Sequence, residues 1–267
     1  MLQVELTGCT GAGKSTLTSR LLRMCRDQGI DAWIDYDFVL GQVRLDWIKS
    51  KLARALVVNL VSLCVCLVTW RNYREFYRFM IRVISRLPVA WSEKLYVGRN
   101  VLKNMGIHEI IRRCASDQQI VFLDEGTLHI AHYLFVHVSV EPDTEGLSTF
   151  VELVPLPDVV VYVSQTERVL IERTLARGHK RVPIRSYAQV ELFIKRAIET
   201  FEELRQQSVL QSRLIVVDSQ RKIIVGQDYP KDAPFADVLK MVRAGVEMVS
   251  TECSRGVMPV LDSRTAV

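Results

Sequence analysis

Gly8-Cys9-Thr10-Gly11-Ala12-Gly13-Lys14-Ser15 separates a short run, Gln3 to Thr7, from a stretch with apolar residues at Leu17, Leu21, Leu22 and Cys25. The octet fits G-x-x-x-x-G-K-[S/T] in full, and a chain of this composition would show it by chance on the order of one time in a hundred. It also sits where the motif must sit, after an expected strand and at the start of an expected helix that Gly29 closes. Each residue type has a physical reason. Glycines let backbone N–H groups converge on phosphate oxygens, and a helix N-terminus adds partial positive charge. A lysine reaches the outer phosphates, and a hydroxyl ligates Mg²⁺. Gly8, Cys9, Thr10, Gly11, Ala12, Gly13, Lys14, Ser15 and the following Thr16 are therefore expected to hold the phosphates of ATP.

Outward from this loop, apolar runs at Ala32 to Ile34, Gln119 to Leu123, Asp158 to Val163 and Leu214 to Val217 read as further strands. Helical spacings fill the intervals, at Thr166 to Arg177, Ser186 to Gln207 and Phe235 to Val249. Strands alternating with helices predict an α/β fold, a parallel sheet with helices on both faces. One domain over 1–250 accounts for this pattern, with a helical insert at 41–115 between the second and third strands and a loose tail over 251–267.

Acids stand at the strand ends, which in an open parallel sheet face the ligand crevice. Ile120-Val121-Phe122-Leu123 runs into Asp124, which is expected beside the Mg²⁺ of Ser15. Asp35 and Asp37 form D-x-D after the second strand; were the strand to continue, both would point to one side. Asp37 is expected to act as base or hydroxyl anchor and Asp35 to support the metal. Glu125 offers an alternative, a carboxylate that activates water in an ATPase. Arg173 and Arg177, four apart on one helix face, precede Gly178, Lys180 and Arg181. These cations read as a lid over a transferring phosphoryl group.

With these features the chain resembles the P-loop kinase superfamily, and most closely thymidylate kinase-like and nucleoside monophosphate kinase-like proteins. The likeness covers about 1–37 and 119–219 and rests on Gly8 to Ser15, the D-x-D, the strand ending in Asp124 and the arginine-rich segment. It implies a five-stranded sheet in the order 2-3-1-4-5, Mg-ATP as donor and a lid that closes. Thymidylate and deoxynucleoside kinases usually carry an arginine right after the third-strand acid; this chain has Glu125 there. The expected function is transfer of the γ-phosphoryl group of Mg-ATP to a hydroxyl or phosphate of a small acceptor. The runner-up is a P-loop ATPase or nucleotide-switched binding protein.

Composition narrows the setting. The 267 residues are 49% hydrophobic and 24% charged, an ordinary globular balance. A net charge of +5 suits phosphate handling and is too small to indicate nucleic acid. Six scattered cysteines without a C-x-x-C pair read as free thiols in a reducing compartment. No basic and apolar leader opens the chain, so a cytoplasmic location is expected. Ala55 to Trp70 is almost wholly apolar, interrupted by Asn59, Ser62 and Thr69. It falls short of the roughly 20 residues of a spanning helix and reads as a buried one. Arg71, Arg74, Arg78, Arg82 and Arg86 follow at helical spacing as one basic stripe, fit for an anionic membrane surface or an anionic acceptor.

Overall fold

A computed structural model describes residues 1–178, 181–182, 186–220, 222–229 and 236–244. The tail over 251–267 lies outside the described residues, and so do Lys180 and the ends of the helix expected over Phe235 to Val249, of which 236–244 is helical. The centre is strand β1 (Leu2–Thr7), flanked in parallel by β3 (Ile120–Leu123) and β4 (Val159–Val163). Val4 is in register with Phe122 on one side and Val159 on the other. β2 (Ala32–Ile34) adds beyond β3, and β5 (Leu214–Val217) beyond β4, both parallel. β1, β3, β4 and β5 are buried along their whole length, as helices on both faces require.

The order 2-3-1-4-5 expected for the five parallel strands is present, but the sheet has a sixth. β6 (Ile223–Val225) pairs antiparallel with β5 at the edge. Its hairpin turns on Asp218, whose carboxylate accepts from the backbone N–H of Gln220 (2.9 Å) and Lys222 (2.7 Å).

Helix α1 (Lys14–Asp27) runs from the phosphate loop back along the sheet. α2 (Asp35–Gln42) follows β2 without a break. The expected insert is a hairpin of long helices. α3 (Lys51–Thr69), one 3₁₀ turn (Trp70–Tyr73) and α4 (Arg74–Arg86) form a nearly continuous rod. α5 (Trp91–Cys114) returns along it to β3. α6 (Ile130–Phe135) and α7 (Thr144–Leu153) lie between β3 and β4, and α8 (Glu167–Arg177), α9 (Tyr187–Gln206) and α10 (Ser208–Gln211) between β4 and β5.

The apolar run in α3 is not a buried helix. Its inward side is the short one: Val58, Ser62, Cys66 and Thr69 are buried, and a Cβ on Gly106 of α5 would come within 2.5 Å of the Ser62 backbone. The leucines point outward, from 40% exposed at Leu63 to 77% at Leu52. Residues read as interruptions are thus the packing surface, because only small side chains admit α5 this close.

Candidate active site

The parallel strands end together, so the loops after β1, β2 and β3 meet at one edge of the sheet. The first is the phosphate loop. Gly8, Gly11 and Gly13 all have positive φ, and at Gly8 the need is absolute: a Cβ there would stand 2.4 Å from the Val163 carbonyl oxygen. Cys9, Thr10 and Ala12 complete the turn, with the Ala12 N–H bonded to the Cys9 carbonyl at 3.2 Å. Lys14, Ser15 and Thr16 form the first turn of α1, whose leading N–H groups have no partner inside the helix. The Lys14 ammonium folds onto the Gly8 and Cys9 carbonyls at 2.8 and 3.1 Å. Burial pulls its pKa below the ordinary value against the attraction of Asp124.

Asp124, at the end of β3, accepts a hydrogen bond from the Ser15 hydroxyl at 3.0 Å. Burial raises its pKa; Lys14 opposes the rise and Glu125 adds to it. Asp35 opens α2 at the end of β2. It is 3% exposed, and its carboxylate accepts the Tyr36 backbone N–H at 2.7 Å. Burial first and the charge of Asp124 second push its pKa up to about 7. Ser15, Asp124 and Asp35 are therefore oxygen donors crowded with like charge, which a divalent cation would relieve. That donor chemistry fits Mg²⁺. Among the described residues no three His, Cys, Asp or Glu side chains form a separate metal cage.

Asp35 and Asp37 do not share a direction, contrary to the expectation for an extended D-x-D. The chain turns helical at Asp35, and residues two apart on a helix face nearly opposite ways. Asp37 pairs instead with Arg54 of α3. It lines a surface hollow with Arg26 and Asp46. Arg26 lies in the last turn of α1, roughly 18 Å along the helix from the phosphate loop at 1.5 Å per residue.

Glu125 faces the crevice but is already engaged. It accepts from the Tyr133 hydroxyl at 2.6 Å and from the Lys103 ammonium at 3.3 Å. Burial alone would raise its pKa, yet Lys103, His129 and Tyr133 together hold it well below the usual carboxylate range. Lys103 shows the converse: burial lowers its pKa, and Glu125, Tyr36 and Asp35 outweigh that and raise it. Lys103 comes from α5, within the insert, and carried no motif; a lone lysine on a helix has no signal of its own. Asn104 beside it ties α5 to the Gly126 carbonyl at 2.9 Å.

Glu5 carried no such signal, because Leu2-Gln3-Val4-Glu5-Leu6-Thr7 alternates apolar and polar, yet it is fully buried. Its carboxylate accepts the N–H groups of Leu128 (3.1 Å) and His129 (2.8 Å), bracing the segment after Glu125. Burial pushes its pKa up to about 7 although these bonds pull it down. The same carboxylate leaves no room beside Gly126, where a Cβ would lie 2.3 Å from it. Gly126→Ala is expected to cost roughly 1–3 kcal/mol of stability, as overpacking does. Urea unfolding with the midpoint unchanged would contradict this packing.

The arginines of the expected lid separate. Arg173 of α8 donates to the Gly11 carbonyl at 2.7 Å, and Arg177, one turn on, is close enough to Lys14 to repel it. Arg181 is elsewhere. It is buried against α6 and α9, donates to the His132 carbonyl at 2.9 Å, stands 3.5 Å from Glu93 and lies over the Phe193 ring. A buried guanidinium must be paired, and the partners of Arg181 lie on α5, α6 and α9, whereas Arg173 is bonded to the phosphate loop.

No protein-family model and no curated protein sequence matches the chain. Its backbone is similar to solved structures of deoxyadenosine kinase from M. mycoides. The form with dCMP and a flexible dCDP bound gives a TM-score of 0.42, that with dATP 0.43 and that with dCTP 0.40. In each case 13% of residues are identical over 95% of this chain and 100% of that one. The likeness concerns the course of the backbone.

Proposed function

We propose that the protein is an ATP-dependent kinase for a small acceptor, a nucleoside or nucleotide or another metabolite with a free hydroxyl or phosphate. The carrying observation is the pairing of a complete phosphate loop with a buried carboxyl, Asp35, whose pKa burial and Asp124 raise to about 7 before a metal ion binds. A general base works best when its pKa lies near the working pH. Lys14 and the loop N–H groups hold the donor phosphates. Ser15 and Asp124 hold Mg²⁺, with Asp35 close by; when bound, the ion neutralises charge on the phosphates. Asp35, rather than Asp37, takes the proton of the attacking hydroxyl. Arg173 and Arg177 stabilise charge spreading over the transferring group. The likeness in sequence motifs to thymidylate and nucleoside monophosphate kinases supports the nucleotide-like acceptor, and Glu125 in place of the arginine that thymidylate and deoxynucleoside kinases usually carry sets a different contact there.

In the hydrolytic alternative Glu125 is the carboxylate that would activate water. Glu125, held ionised by Lys103 and Tyr133, is a poor base, so the arrangement favours transfer. Glu125→Gln is accordingly expected to slow transfer to an acceptor by less than the roughly 100-fold that removal of a base costs. If the substitution instead abolishes a steady phosphate release that no acceptor stimulates, the reaction is hydrolysis.

A further inference from the structure

The rod of α3 and α4 carries two kinds of exposed residue on one side. At 3.6 residues per turn, positions eighteen apart are separated by about five whole turns and share a direction. Val58 and Phe76 are such a pair, and so are Ser62 and Met80; all four are buried. Leu56 and Arg74, Leu60 and Arg78, and Val68 and Arg86 are pairs of the same kind, and all six are exposed. The 3₁₀ turn therefore keeps the phase, with Trp70 stacked on Tyr77 across it at 4.4 Å. The outward side is leucine over its first half and arginine over its second.

This is the reverse of a soluble helix, which buries its large apolar residues and exposes small or polar ones. α3 turns Ser62 and Thr69 inward and its leucines outward, and residues 55–70 contain no charge. Contiguous apolar patches of this kind mark interaction sites. The charge of the rod selects the partner. Residues 51–86 hold seven Lys and Arg and a single acid, Glu75, which pairs with Arg78. A second copy is a poor match. Parallel rods set arginine on arginine, and antiparallel rods centred on the leucines bring Arg71 of one copy to Lys49 and Lys51 of the other. No described hydrogen bond or ion pair joins the stripe to Asp35, Asp124 or Glu125.

We infer that this side of the rod docks on the surface of an anionic phospholipid membrane. The leucines enter the boundary between headgroups and acyl chains, and the arginines meet lipid phosphates and carboxylates. The inward side stays packed on α5, so the rod lies on the bilayer and the sheet stays in the cytoplasm.

Flotation of the full chain with phosphatidylcholine vesicles, with and without phosphatidylserine, tests this. Wild type is expected on the anionic vesicles at least ~10-fold more than on neutral ones at low salt, and high salt should release it, because screening acts over about 10 Å at 0.1 M. Arg74→Glu/Arg82→Glu should remove the preference, and Leu60→Gln/Leu67→Gln should lower uptake several-fold. All four side chains are exposed, so melting curves should match wild type. Equal uptake on both lipids, uptake that salt does not reverse, or no uptake with a dimer that Leu60→Gln/Leu67→Gln dissociates would overturn the inference.

Discussion

Lys14→Ala is expected to weaken Mg-ATP binding at least ~100-fold and to lower turnover by about 10²–10³, the loss that follows removal of a preorganised charge from a reacting oxygen. Lys14 is held by two carbonyls of its own loop, so its ammonium is in place before any ligand arrives. It is half-buried and burial depresses its pKa, so its attraction for phosphate is less screened than in open water. Lys14→Met, which keeps the apolar stem, should behave the same way. Titration calorimetry reads the affinity directly, and an unchanged value in both variants would remove the nucleotide reading.

Asp35→Asn is expected to cut acceptor turnover by about 10²–10⁴, while Asp37→Asn leaves it nearly unchanged. Asp37 gives up only a half-exposed ion pair with Arg54, and such pairs contribute about 0–1 kcal/mol. The pH profile separates the two acids further. Asp35 must be ionised to accept a proton, so kcat/KM should rise with pH and level off, with a midpoint below the about 7 of the metal-free carboxyl because bound Mg²⁺ favours the ionised form. The same ionisation acts on the fold with the opposite sign. The carboxyl titrates near 3.8 unfolded and near 7 folded. Between those values the native state binds more protons, and stability falls as pH rises. Asp35→Asn should therefore flatten both curves, making a protein that resists unfolding better than wild type above pH 7 and barely turns over.

The contrast between these two acids shows how far the sequence was legible. The phosphate loop is an eight-residue constraint on backbone shape, and so is visible without any neighbour. β3, β4 and β5 are visible because burial on both faces demands unbroken apolar runs. Asp35 and Asp37 look equivalent until the chain turns helical at Asp35, and nothing in Asp35-Tyr36-Asp37 announces that turn. Arg181 sits a few residues from Arg177, yet partners on α5 and α6 decide where it goes. Lys103 reaches Glu125 only through the packing of α5 on the sheet. α3 hid its orientation for a different reason: with large apolar residues all around it, periodicity cannot choose the buried face, and the choice falls to Gly106 and Ser62. Glu5 was hidden because its strand alternates polar and apolar residues, a pattern that reads as one face in water.

Phosphoryl transfer itself is most directly tested by following γ-labelled ATP with a panel of nucleosides, nucleotides and other small hydroxyl or phosphate compounds, with label in inorganic phosphate counted beside label in product. The arrangement of Lys14, Asp124 and Asp35 predicts label on one class of acceptor, at a rate that Asp35→Asn cuts by about 10²–10⁴. Label found only as inorganic phosphate, at a rate that no compound in the panel changes, would contradict it.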